Sequence, residues 1–243
     1  MTLGKGLLKH MSLDLNLRSI AACAVLVGAS AAFTSCASTK QSVGLENVDS
    51  LVSRVEQVHL ETELSKQSVY AAVVSLGPLF AKNFSGDATE AFQAFAEATE
   101  AAERQANELR AHIAPMRNSA LTVFERWEES LDGFSSDNLR QRSADRLAVT
   151  RERFAEVQEE SVLALTQFDD LNSQLRDTVL FLGHDFNATA VSAIEEDAYV
   201  VRDKARELGR AFDAAMDAAA EYVEKAALRG QANDDVMVTV QPK

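Results

Sequence analysis

The strongest constraint in this sequence is an apolar stripe that returns at alternating steps of three and four residues and keeps its phase for tens of residues. In an α-helix that spacing puts the apolar side chains on one face, whereas in a strand it would scatter them over both. The first stripe is Val48, Leu51, Val55, Val58, Thr62, Ser65, Val69, Ala72, Leu76 and Leu79. The second is Phe92, Phe95, Thr99, Ala102, Ala106, Leu109, Ile113, Met116, Ala120, Val123, Trp127, Ser130 and Phe134. The third runs from Leu147 through Phe154, Val157, Ser161, Phe168 and Leu175 to Leu182, and the fourth from Val191 through Val201, Leu208 and Phe212 to Tyr222 and Ala226. Helices of about 40 residues would be about 60 Å long. The expectation is therefore an all-α fold, an elongated antiparallel helical bundle or set of coiled-coil hairpins built from about four long helices.

The breaks between stripes carry stop and start signals. Gly77-Pro78, followed by Asn83 to Asp87, predicts a turn, and Asp87 with Glu90 forms a capping-box pattern. Gly133 and Ser135 to Asn138 predict a hairpin apex, and Gly183 closes the third stripe. The fourth helix is expected to run unbroken from just after Asn187. Pro115, inside the second stripe, predicts a kink or short break near Ala111 to Ala114. The spacing is a heptad and not a repeat of 34 or 40 residues, which argues against a solenoid.

Ahead of the stripes lies a different kind of segment. Lys5, Lys9 and Arg18 precede a run without charge, SIAACAVLVGASAAF, and then Thr34-Ser35-Cys36. This is the layout of a secretory signal peptide, and the run is shorter than the roughly 20 residues of a spanning helix. Phe33-Thr34-Ser35-Cys36 resembles the lipobox of bacterial lipoproteins, although leucine is usual where Phe33 stands. The resemblance implies cleavage before Cys36, a diacylglyceryl thioether on its sulfur and an acylated new amino terminus. Two or three acyl chains would make attachment stable, since each buried methylene contributes about 0.8 kcal/mol. Ala37, where an aspartate would signal retention at the inner membrane, points by analogy with bacterial lipoprotein sorting to the outer membrane, facing the periplasm. The expected organisation is a lipoprotein signal peptide at 1–35, a lipidated cysteine and flexible tether at 36–46, a helical bundle domain at 47–230 and a disordered tail at 231–243.

Charge narrows the partners. The net charge is -13, and the first 35 residues are themselves basic, so the remainder is more acidic still. A phosphate backbone needs a basic face, which excludes nucleic acid as the expected partner. Cys23 and Cys36 are the two cysteines, so no disulfide is expected in the bundle.

Candidate sites are few. Glu56-Gln57-Val58-His59 has the Glu-x-x-His spacing that di-iron bundles use on two of their helices, but no second such pair occurs. A metal-binding or enzymatic bundle using Glu56 and His59 is thus the alternative reading, and an apolar-ligand or lipid-binding bundle a third. No metal, cofactor or catalytic set is expected. His184-Asp185 reads as a helix-end histidine interacting with terminal carbonyls. Trp127 falls on the seam and reads as core, whereas Phe124 falls off it and, if exposed, would mark with Trp127 an interaction patch.

Two segments, VFERWEESLDGFSSDNLRQRS (Val123 to Ser143) and LRDTVLFLGHDFNATAV (Leu175 to Val191), are similar to a family of bacterial lipoproteins described only as domain-of-unknown-function family 2959. The resemblance rests on Trp127, Leu139-Arg140, Val179 to Leu182, His184 and Asn187-Ala188, and departs at Gly183, where relatives tend to carry a basic residue. It implies a secreted, lipid-anchored, coiled-coil-rich protein and supplies no activity. The expectation is a structural or interaction protein of the cell envelope, a scaffold or spacer held to the membrane by acyl chains on Cys36. Its partners would be an envelope protein or a second copy of itself.

Overall fold

The protein was analysed as a computed structural model that describes residues 43–81 and 86–226. The leader, Cys36, the start of the tether, Asn83 to Ser85 and the tail at 231–243 lie outside the described residues. Among the described residues there is helix and turn, with no strand. The helices are α1 (Val43–Leu76), α2 (Ala88–Ser130), α3 (Asp137–His184), α4 (Ala188–Ala193) and α5 (Glu195–Ala226). Short 3₁₀ turns at Gly77–Phe80 and Leu131–Gly133 follow α1 and α2.

The starts are set by side chains that accept backbone N–H groups left without a partner in the first turn. Asp87 accepts from Thr89 and Glu90, Ser136 from Leu139, and Asn187 from Thr189 and Ala190. α1 begins at Val43, inside the span expected as tether, because adding a residue to an existing helix gains a hydrogen bond without a new nucleus. Of the kink or short break expected near Pro115, the break is absent, since α2 runs through it. Pro115 and Ala111 are both exposed, so the carbonyl that loses its N–H partner faces water. The fourth helix, expected to be continuous, is divided at Ile194 (φ -110, ψ 14). Buried Ile194 joins Leu182 and Ala190 in a small second cluster there, which closes the crossover from α3 to α5.

The four long helices form a closed ring of neighbours, α1 against α2, α2 against α3, α3 against α5 and α5 against α1, with the diagonal pairs scarcely touching. All four interfaces are antiparallel. His59 meets Met216 and Lys66 meets Asp213 across α1 and α5, and Phe154 and Phe168 meet Tyr222 and Phe212 across α3 and α5. Across α2 and α3 an ion-pair ladder joins Glu103 to Arg176, Arg110 to Asp169 and Glu128 to Arg151. Val43, the α2–α3 apex and Ala226 therefore share one end of the bundle, while the α1–α2 turn and the α4 crossover share the other.

The core is the set of stripes turned inward. Val55, Val58, Phe95, Leu109, Met116, Phe168, Leu175, Leu208 and Phe212 are at most 1% exposed. Burying such a side chain contributes about 1.5–3 kcal/mol. Polar residues also enter. Thr62 and Ser65 bond to carbonyls of their own helix, but Thr99 Oγ1, Ser161 Oγ and both amide atoms of Asn172 are buried without a partner.

Replacing buried Asn172 by leucine removes two uncompensated polar atoms, each costing on the order of 1–3 kcal/mol. We expect Asn172→Leu to raise the urea midpoint, and a lowered midpoint would show that the amide is paired in solution. Gly209, in the middle of α5, has nothing within 4 Å of where a Cβ would stand. Gly209→Ala should stabilise the protein by about 0.5–1 kcal/mol in the same unfolding experiment.

Candidate functional site

A groove of about 1060 Å³ lies on the outside of the α2–α3 pair, towards the apex. Its apolar lining includes Ala120, Leu121, Phe124, Phe154, Ala155, Val162 and Leu163, with Arg117, Glu125, Glu128, Arg151 and Glu159 carrying charge around it. Leu121, Val162 and Leu163 are 56%, 43% and 46% exposed, so a second apolar surface flanks the seam.

Phe124 does not meet the condition that would make it a docking patch, because it is 7% exposed. One edge of the ring meets Phe154, with centroids 5.7 Å apart at 73°, and the Arg151 guanidinium lies 5.8 Å from its centroid. Arg151 is held there by Glu128 at 2.6 Å and by the Phe124 carbonyl at 3.4 Å. Phe154 in turn meets Tyr222 edge to face at 5.7 Å, linking groove to core. Trp127 is half-buried, packs against the core and donates its indole N–H to Ser143 Oγ at 2.9 Å. It ties α2 to α3 next to the apex.

The Glu56–His59 pair is not brought together as a ligand set. Glu56 is exposed, while half-buried His59 places Nδ1 3.1 Å from the Met216 carbonyl oxygen, bridging α1 to α5. Among the described residues no three His, Cys, Asp or Glu side chains gather as a metal would require. Glu61 is the most enclosed acidic group of this region, its side chain 12% exposed. Gln57 and Gln105 donate to its two oxygens at 2.7 and 2.8 Å, and His112 Nε2 lies 3.8 Å away. This is a polar clasp between α1 and α2. His184 ends α3 in an exposed position, and Asp185 accepts from Asn187 at 2.6 Å. Cys36 lies outside the described residues.

Sequence reasoning missed the groove, because it sought one seam per helix. The exposed pair Val162-Leu163 and the outward stripe Leu60, Leu64 and Val74 of α1, 46%, 39% and 53% exposed, were legible as apolar residues between seam positions. The groove offers apolar contact within a rim of mixed charge, and its lining contains no His, Cys or Ser. Among the described residues no helix is long and apolar enough to cross a membrane.

These features define an antiparallel four-helix bundle with one short crossover helix. The chain belongs to the family described as protein of unknown function DUF2959, whose family model matches residues 37–226. No curated protein and no solved structure matches it.

Burial in the core pushes the pKa of the Tyr222 hydroxyl upward, because desolvation disfavours the phenolate. The unfolded chain ionises this tyrosine near pH 10 while the folded chain keeps the proton. The associated stability is therefore complete below about pH 10 and falls as pH rises above it. We expect Tyr222→Phe to lose less stability than wild type between pH 8 and pH 11 in urea titrations followed by circular dichroism. Equal losses would show that Tyr222 does not carry the alkaline sensitivity.

Proposed function

We propose that this protein is a lipid-anchored, periplasm-facing component of the bacterial cell envelope that acts by binding, as a scaffold or spacer, and not by catalysis. The observation that carries the reading is the juxtaposition in one chain of Phe33-Thr34-Ser35-Cys36, after an uncharged run, with a long helical bundle that starts at Val43. A body of this kind has no need of its own membrane span, because acyl chains on one cysteine supply the attachment. The outer membrane is the expected address, from Ala37 after the cysteine. The net charge of -13, more negative still without the basic leader, keeps such a body soluble and favours protein partners, or a second copy, over polyanions.

The test is metabolic labelling of cells with a palmitate analogue, comparing wild type with Cys36→Ser. We expect label, a mature mass beginning at Cys36 and recovery with membranes, all lost in the variant. An unlabelled wild-type chain that retains its leader would refute the anchor and the address together.

A further inference from the structure

We infer that the α2–α3 hairpin tip is the foot of the bundle, the surface that meets the lipid when the chain is anchored, with Phe134 and Leu139 in contact with it. This rests on the anchored reading above and adds an orientation and a contact surface to it. Six residues separate Cys36 from Val43, and however they are arranged they reach at most about 25 Å. Leu76, at the other end of α1, is about 50 Å from Val43. In an upright bundle, then, the end that holds Val43 is the end that meets the membrane, and the α1–α2 turn with the α4 crossover stands away from it.

At that end the helices are staggered. Counted from the level where Gln105 meets Glu61, α2 continues for about 37 Å to Ser130, whereas α1 runs back only about 27 Å to Val43. The described part of α5, counted from Met216 opposite His59, reaches Ala226, short of the Val43 level. Among the described residues the hairpin tip is thus the part that projects farthest. It carries Phe134 at 38% and Leu139 at 51% exposure, large apolar side chains that nothing else in the described structure covers. Around them charge is close to balanced: Arg140 pairs with Asp137 at 2.9 Å, and Glu128, Glu129 and Asp132 lie close by in sequence with Arg126 and Arg142. Such a tip suits contact with a zwitterionic surface through its apolar residues, and not attraction to an anionic one.

The protein holds its own probe, because Trp127 is its one tryptophan and stands beside the tip. The lipidated full chain would be reconstituted into phosphatidylethanolamine vesicles containing a phospholipid with a nitroxide headgroup, floated, and its tryptophan quenching measured. The distal comparison is the double variant Trp127→Phe, Tyr199→Trp, since Tyr199 is exposed near the crossover end. We expect Trp127 to be quenched severalfold more than the probe at position 199. We also expect Phe134→Ser with Leu139→Ser to float as before while the quenching of Trp127 falls. Equal quenching of the two probes in a chain that floats means that the bundle lies flat or stands clear, and overturns the orientation while leaving the anchor intact. Quenching of Trp127 unchanged by the tip substitutions overturns the contact. A chain without lipid that fails to float overturns the anchor, and the foot with it.

Discussion

Everything in this molecule depends on burying four apolar stripes against one another. Most of the stability of each helix comes from packing, since an isolated helix in water gains little per residue and its stripe would stay wet. Brought together in a ring, the stripes exclude water along the length of the bundle, and edge-to-face aromatic pairs such as Phe168 with Phe212 fill its centre, 5.4 Å between centroids. The thinness of the ring matters as much as its length. Because diagonal helices scarcely touch, each residue of the seam has neighbours on two flanking helices and little depth behind it. A slender core of this kind accommodates alanines such as Ala102, Ala106, Ala164, Ala215 and Ala219, all at most 2% exposed. Small side chains let the axes approach closely.

The fold was legible because heptad spacing is a geometric signal that survives without tertiary context. Most residues assigned to a seam are buried, including the polar members Thr62, Ser65, Thr99 and Ser161, whereas Ser130 and Phe134, at the apex end of the second stripe, are exposed. The caps at Asp87, Ser136 and Asn187 were legible for the same local reason. Pro115 and Ile194 were not. Whether a proline breaks a helix depends on which face it takes, and whether a helix divides at a crossover depends on what packs beneath it, neither of which is a property of neighbouring sequence.

The surface was less legible than the core. Phe124 lay off the stripe, which left its exposure open, and the packing of α3 places Phe154 and Arg151 against it. Its burial is a property of a pair of helices. The same holds for the groove, whose walls come from α2 and α3 together. The pairing of Glu61 with Gln105 and His112 likewise crosses from α1 to α2. Sequence patterns locate faces of single helices, whereas sites are assembled where two faces meet.

The ion-pair ladder between α2 and α3 has a further meaning once its signs are read in order. Glu103 and Arg110 stand one heptad apart on α2, and their partners Arg176 and Asp169 stand one heptad apart on α3. An apolar seam alone is nearly indifferent to a slip of seven residues, because leucines, alanines and phenylalanines would meet others much like them. The charges are not indifferent. A slip in one direction sets Glu103 against Asp169, and in the other it sets Arg110 against Arg176. Exposed pairs of this kind add at most about 1 kcal/mol each to stability. Their value lies in penalising the wrong register, which a uniform hydrophobic stripe cannot do by itself.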